Sequence, residues 1–478
     1  MSSSNQKPPS TVLHYGGFLL SVGAARVLGL LITSITFPLL VRRLGVETYG
    51  LWSYVVVLCA FFDAVANPGL TAHTAQQVAA RREGASTLAA DFLVLRVLSA
   101  MAAIVALMAI SSFESRSTVR SLLRWYGLAE LCVGLTASDF LLASLELFHV
   151  RSALNLIQQF LYALGIVLLV HSPKDIMWLP VSILGSALAT NLAGWIVLWR
   201  SGFQPPLSIA PQRWRAILVP SLHYAATTAM STIYHRSGHL IVRWFLGDYA
   251  LGLYAAAVRS VDILRNVVSL SLTVLTPRIA LAAHSKAGLR RIVNAAVAAL
   301  AAVSIPLMLG TLATAHLVVP WLLGTNYSAA IQPVRWMAPY LLAAPMASLL
   351  SGTVLYAMGR YRAYLAAGTV GAFVAVLLSL TLVHILGLLG VCLAFVAAEF
   401  AVALTAYGLM PHDLRDLWKN PVIVISAFSS LLMVAAVRLA NSYSSQPLLL
   451  VAVGAAVYGT VSIALGRKSI VRQFGDAR

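Results

Sequence analysis

Fourteen apolar runs of about 17–29 residues divide this chain, and no other feature limits its fold so severely. A helix needs about 20 mostly apolar residues to cross the ~30 Å hydrocarbon core of a bilayer. By that measure spans are predicted at 13–41, 50–66, 91–111, 125–148, 152–170, 178–199, 216–241, 252–274, 292–319, 336–357, 363–386, 388–408, 421–440 and 447–465. The most acidic is 125–148, which contains Glu130, Asp139 and Glu146. The fold class is therefore an all-α integral membrane protein of about fourteen transmembrane helices.

Composition excludes the soluble alternatives. Of 478 residues, 60% are hydrophobic and only 10% charged, too few to cover a compact water-soluble surface, for which about 25% is usual. The net charge of +18 invites a nucleic-acid reading, but the basic residues stand singly or in pairs between apolar runs. That is the distribution of charge that orients helices. With the N-terminus in the cytoplasm, inner segments hold 19 basic residues and outer segments nine, which leaves five within spans. Both termini thus read as cytoplasmic. One loop opposes the sum: 112–124 is expected outside and carries Arg116, Arg120 and Arg124. Cys59, Cys132 and Cys392 all lie in apolar runs, so neither a disulfide framework nor a zinc site is indicated. Residues 1–12 read as a disordered tail. The first apolar run is too long for a signal peptide and reads as a retained span.

The chain repeats itself. Leu44-Gly45-Val46-Glu47-Thr48-Tyr49-Gly50-Leu51-Trp52 matches Leu246-Gly247-Asp248-Tyr249-Ala250-Leu251-Gly252-Leu253-Tyr254 without gaps, at an offset of 202. The shared pattern, L-G-x4-G-L-aromatic, opens the second span and again the eighth. The first glycine can end a helix and the second permits close approach. Because six spans is an even number, the two copies define parallel repeats: a lobe at 13–205 and a lobe at 206–412. The two further spans within 413–478 contain no Asp, Glu, Lys or His and read as lipid-facing additions.

Several short motifs in order along 13–408 give the chain a family resemblance. They are RRLGVETYGLWSY at 42–54 with the D-x-x-x-N-P-G-L run from Asp63 to Leu70, and Tyr234-His235-Arg236 leading to WFLGDYALGLYAAAVR at 244–259. Pro277-Arg278, Leu323-Gly324-Thr325-Asn326-Tyr327, Gly359-Arg360 and Gly387-Leu388-Leu389-Gly390 follow. In these the chain resembles the Wzx-type polysaccharide-biosynthesis flippases of the MATE/MOP exporter superfamily. Arg26-Val27-Leu28-Gly29 also resembles the lipid II flippase branch. One departure stands out: two positions after Arg236, where the family often carries an acid, this chain has Gly238. A partner for Arg236 must then come from another helix or from the substrate.

The resemblance implies a flippase, not an enzyme, that moves an undecaprenyl-pyrophosphate-linked oligosaccharide from the cytoplasmic to the periplasmic leaflet of the bacterial inner membrane. Two helical bundles would alternate around a cavity. It also implies pathway partners, a polysaccharide polymerase and glycosyltransferases, and no nucleic acid or cofactor.

Ionisable groups within spans cost about 2.5–3.5 kcal/mol each and tend to face a cavity or a partner. The arginine fork binds phosphate oxygens in bidentate fashion and keeps its charge. Arg26, Arg236, Arg259 and Arg265 are therefore the candidate head-group ligands, with His239, which shares a face with Arg236, as a hydrogen-bonding companion. Arg259, Asp262 and Arg265 follow at i, i+3 and i+6, so a plainer reading stays open, in which Asp262 neutralises both arginines and the three cement packing. Arg96, beside Asp91 near a helix end, reads as a snorkelling residue. Asp63, Asp262 and Glu399 are candidates for ion coupling, each with the alternative of serving as an arginine's partner. His235 and His239 stand four apart, but no third metal ligand is indicated, so no metal site is assigned. Pro38, Pro220, Pro306, Pro339 and Pro345 can localise bends.

Two other function classes remain. A drug or metabolite antiporter of the same fold would favour acids over arginines. A membrane polymerase or glycosyltransferase would need a large outer loop or paired acids, and neither is apparent.

Overall fold

A computed structural model of the protein describes residues 11–66, 70–71, 85–136, 138–203, 211–282, 285–415 and 420–475. The tail at 1–10, the Asn67-Pro68-Gly69 part of one motif, and Lys7, Arg81, Arg82, Lys419 and Arg478, expected on the inner face, lie outside them. The described residues are helical almost throughout. In chain order the helices are α1 (Thr11–Ala66), α2 (Ala85–Ser112), α3 (Ser117–Thr136), α4 (Asp139–Ser144), α5 (Phe148–Leu169), α6 (Trp178–Arg200) and α7 (Pro211–Ala282). There follow α8 (Lys286–Leu323), α9 (Ile331–Met337), α10 (Tyr340–Ala347), α11 (Tyr361–Leu386), α12 (Leu388–Gly408), α13 (Pro421–Asn441) and α14 (Pro447–Gly475).

Ten helices among the described residues are long and apolar enough to cross a membrane, and the bent pair Thr325–Met337 and Tyr340–Leu355 makes an eleventh. Two of the ten, Gly23–Asp63 and Thr228–Leu272, run 41 and 45 residues. At about 1.5 Å per residue each is roughly twice the thickness of the hydrocarbon core. Each is also interrupted by a glycine in a conformation that no helix contains: Gly45 at φ 72°, ψ 173°, and Gly247 at φ 85°, ψ −177°. Each therefore supplies two crossings, and with the less apolar α3 the fourteen spans are accounted for. The fourth span differs from expectation in its limits. It opens at Ser117 rather than near 125, which takes Arg120 and Arg124 into its first turns. Their guanidiniums reach back to the preceding turn, Arg120 donating to the Glu114 carbonyl at 2.8 and 3.1 Å and Arg124 to the Ser111 hydroxyl at 3.1 Å.

The chain forms two compact units, one of residues 1–43 and 58–228, the other of 44–57 and 229–478. In the first, Leu70, Phe92, Leu95, Leu141, Leu142, Leu198 and Ile217 form a buried cluster. Arg43, at the break in α1, donates from Nη1 to the carbonyls of Ile166, Val167 and Val170 at 3.1, 3.0 and 2.6 Å. These carbonyls close α5, where a helix leaves its acceptors unpaired and its dipole favours a cation.

In the second unit the core is rich in alanine, one of the small residues that let membrane helices approach. The repeated motif shows this at its extreme. A Cβ added to Gly50 would stand 2.0 Å from the Asp248 carbonyl oxygen, and one added to Gly252 would stand 2.0 Å from that of Val46. Gly50 and Gly252 are equivalent positions of the repeat, as are Val46 and Asp248, so the two copies cross each other reciprocally. Around that crossing Arg243 pairs with Asp248 at 2.9 Å and lies over the Tyr54 ring at 3.5 Å from its centroid. α13 and α14 pack beside α8, where Met433, Val437 and Leu450 meet Leu309 and Leu317.

Candidate functional site

The second unit brings six polar side chains of its membrane helices together. Tyr234, His235, Asp262 and Arg265 come from α7, Tyr340 from α10 and Glu399 from α12. Asp262 and Arg265, one helical turn apart, pair at 3.3 Å. The Tyr340 hydroxyl donates to the same Asp262 oxygen at 2.7 Å. Tyr340 reaches it because the tenth span is broken: α9 and α10 are bent by 50° across Ala338 and Pro339, which restarts the helix at Tyr340. The tyrosine ring stacks on Phe395 of α12, with centroids 4.8 Å apart. One turn further along α12, Glu399 is buried, and its carboxylate lies 3.7 Å from the His235 Nε2. The buried Tyr234 hydroxyl neighbours Glu399 but makes no hydrogen bond of good geometry.

Of the run Arg259-Asp262-Arg265, the structure pairs only the last two. Arg259 is exposed and lies within electrostatic reach of the buried Tyr49. Among the described residues, neither Arg259 nor Arg236 forms a hydrogen bond or an ion pair. Two formal charges of a membrane-embedded segment thus have no counter-charge among the described residues. His239 is buried edge-on to Tyr254 with ring centroids 4.9 Å apart, and its Nδ1 has no hydrogen-bond partner. Gly238, the departure from the family pattern, is where the Tyr254 hydroxyl fits: a Cβ there would lie 2.4 Å from it. An acid at 238 would displace the tyrosine.

In the first unit Arg26 is exposed on α1. Arg96 does not snorkel. It is buried, and its guanidinium faces Asp63 at 3.7 Å, which gives that candidate acid an arginine partner. Asp91, expected beside Arg96, is instead met by Arg213 at 3.1 Å. Asp139 pairs with Arg151 at 2.7 Å.

The residues that sequence reasoning missed are Tyr234 and Tyr340. A tyrosine inside an apolar run is ordinary, and only the proline break next to Tyr340 marked the place.

The arrangement offers the guanidiniums of Arg236 and Arg259, without an ion pair among the described residues, and, separately, a network of acids, a histidine and tyrosine hydroxyls. Comparison with known proteins agrees with a transport fold. A family model described as polysaccharide biosynthesis protein matches residues 18–283. The fold is similar to that of the lipid II flippase MurJ in an inward closed conformation, at a TM-score of 0.76 and 13% identity over 94% of this chain and 99% of that one. It is also similar to a multidrug resistance MATE family transporter of the MOP superfamily in its inward-facing conformation, at a TM-score of 0.62 and 14% identity, covering 87% of this chain and 98% of that one. A MOP superfamily transporter from Pyrococcus furiosus, whose binding pocket is described as of reverse polarity, aligns at a TM-score of 0.54 and 13% identity, covering 87% and 95%. No curated protein sequence matches the chain.

Proposed function

The chain belongs to the polysaccharide biosynthesis protein family, and from that membership we propose that it is a flippase. Its cargo would be an oligosaccharide on a polyprenyl pyrophosphate, carried from the cytoplasmic to the periplasmic leaflet by alternating access. The observation that carries this reading is the pair of arginines, Arg236 and Arg259, that stand within membrane helices without an acidic partner among the described residues. A cation left unneutralised in a span is costly unless its counter-charge arrives with a ligand. A pyrophosphate has the matching charge and the planar oxygen pairs that a guanidinium binds. Arg26 in the first unit is the third head-group ligand in this reading, and Arg265, which shares Asp262, is the fourth. His239, buried beside Arg236 with an open Nδ1, supplies a hydrogen bond. The polyprenyl tail needs no site, because lipid accommodates it.

The cell compartment follows from the cargo and from the excess of basic residues in the expected inner segments: a bacterial inner membrane, with both termini in the cytoplasm. The pathway's glycosyltransferases and polymerase are the partners that supply and consume the cargo. The MATE-like fold keeps a drug or metabolite antiporter as the second reading, but a cationic drug would be repelled by unpaired arginines.

Complementation tests the proposal. Arg26→Ala or Arg259→Ala abolishes surface polysaccharide while the protein remains in the membrane at its normal level. Arg259→Lys restores part of it, because charge returns without the bidentate fork. Normal polymer from both alanine variants would overturn the arginine site.

A further inference from the structure

We infer that His235 and Glu399 together form one proton-binding site, with the proton held between the imidazole Nε2 and the carboxylate Oε1. The inference rests on the transport reading above and deepens it, because it makes a proton, taken up at this pair, the ion that drives transport.

His235 Nδ1 lies 2.9 Å from the Ser231 carbonyl oxygen. A carbonyl can only accept, so Nδ1 carries a hydrogen and donates it. In the neutral ring the other nitrogen, Nε2, then bears a lone pair. That lone pair faces Glu399 Oε1 at 3.7 Å. An ionised carboxylate also presents only lone pairs, so a neutral histidine and an ionised glutamate repel each other here, in a place where burial denies Glu399 the help of water. One added proton converts the repulsion into a hydrogen bond, whichever atom it rests on. The pair therefore gains a hydrogen bond by taking up a proton, at a separation of 3.7 Å that lies just beyond the ~3.2 Å limit of a good one.

The surroundings fit both states. Tyr234 presents a buried hydroxyl to Glu399 that has no well-formed hydrogen bond. A hydroxyl can donate to the carboxylate when it is ionised and accept from the carboxyl when it is protonated. The other charged and titratable groups facing the pair are Asp262, Arg265 and Arg236 on α7 and Tyr340 on α10. Asp262 and Arg265 offset each other at 3.3 Å, and the Tyr340 hydroxyl is committed to Asp262. On α11 it is Gly371 that adjoins the Tyr234 ring, while the titratable residues of that helix, Tyr361, Arg362, Tyr364 and His384, stand toward its two ends.

The same geometry ranks the three candidate coupling acids. Asp63 has Arg96 as its partner, and Asp262 has both Arg265 and the Tyr340 hydroxyl. Each holds its negative charge against a group that stays positive or keeps donating. Glu399 alone of the three faces a partner that can itself lose its charge.

The test uses the full chain in lipid nanodiscs, without substrate. Infrared difference spectra recorded from about pH 5 to about pH 9 should show a protonated-carboxyl band that appears on acidification, is absent from Glu399→Gln, and moves its midpoint in His235→Gln. Should Glu399→Gln fail to accumulate, the shift caused by His235→Gln decides alone. In proteoliposomes loaded with lipid-linked oligosaccharide, an imposed pH gradient should accelerate flipping by the wild type and not by either variant. A spectrum without a titrating Glu399 band overturns the site, and so does flipping that follows a sodium gradient and ignores pH. A Glu399 band that titrates in a protein that flips nothing under any gradient upholds the proton site and overturns the transport reading.

Discussion

Replacing Gly50 by alanine puts a methyl group where the two copies of the repeated motif cross. The new Cβ would stand 2.0 Å from the Asp248 carbonyl oxygen and 2.9 Å from the Gly252 nitrogen. Ordinary contact begins at 3.4 Å, so the two backbones must part by about 1.4 Å. Both obstacles are main chain, so no change of rotamer relieves them. Overpacking of a well-fitted contact costs ~1–3 kcal/mol, and the upper half of that range applies where the whole crossing must open. The Arg243–Tyr54 contact, 3.5 Å to the ring centroid, spans the same gap and loosens with it. Gly252→Ala is the mirror image, with its Cβ 2.0 Å from the Val46 carbonyl oxygen, and costs the same. The sharper expectation concerns the double variant. Its second methyl enters a gap that the first has already opened, so the pair costs little more than either alone. Thermal unfolding of the detergent-purified protein measures this, with Gly368→Ala as the control. Gly368 lies inside α11 with nothing within 4 Å of its added Cβ, so alanine there is neutral or stabilising by ~0.5–1 kcal/mol. A Gly50→Ala protein as stable as wild type would refute the crossing, and full additivity in the double variant would refute its reciprocity.

Two further substitutions probe contacts that bind distant parts of each unit. Tyr340→Phe removes the hydroxyl that donates to Asp262 while keeping the ring on Phe395, and should lower stability by ~1.5–3 kcal/mol, the range for a hydrogen bond to a charged group. An unchanged unfolding temperature would sink that assignment. Arg43→Ala leaves the carbonyls of Ile166, Val167 and Val170 without their donor and should loosen the last turn of α5. Hydrogen exchange followed by mass spectrometry should then rise across 166–170, and exchange equal to wild type there would show that the cap is dispensable.

Much of the fold was legible because the information is local. An apolar run longer than the hydrocarbon core is a span whatever its neighbours do, since the transfer free energy belongs to the run itself. The glycine motif was readable for a similar reason. Gly45 and Gly247 occupy a backbone region that disfavours a side chain, and their equivalence survives as the same dihedral pair in both copies. Less local matters were read less well. Arg120 and Arg124 looked like loop charges because the sequence does not show that an arginine can enter the first turns of a span and return its head group to the turn behind. Arg96 looked like a snorkelling residue beside Asp91 at a helix end, but the acid it faces, Asp63, lies on another helix.

Local patterns along the chain were enough to place it in a membrane, to expose its repeated motif and to single out its scarce interior charges. How those charges are paired became visible only in the folded chain. Spacing alone allowed Asp262 to neutralise Arg259 and Arg265 alike, but a hydroxyl 78 positions away and the turn of α7 give it to Arg265. Spacing alone offered His235 and His239 as companions, but packing buries one against Tyr254 and turns the other toward Glu399 on α12. The physical reason is one of range. Burial in lipid is set residue by residue along the chain, whereas an ion pair or a shared proton depends on a few tenths of an ångström between atoms that only folding brings together.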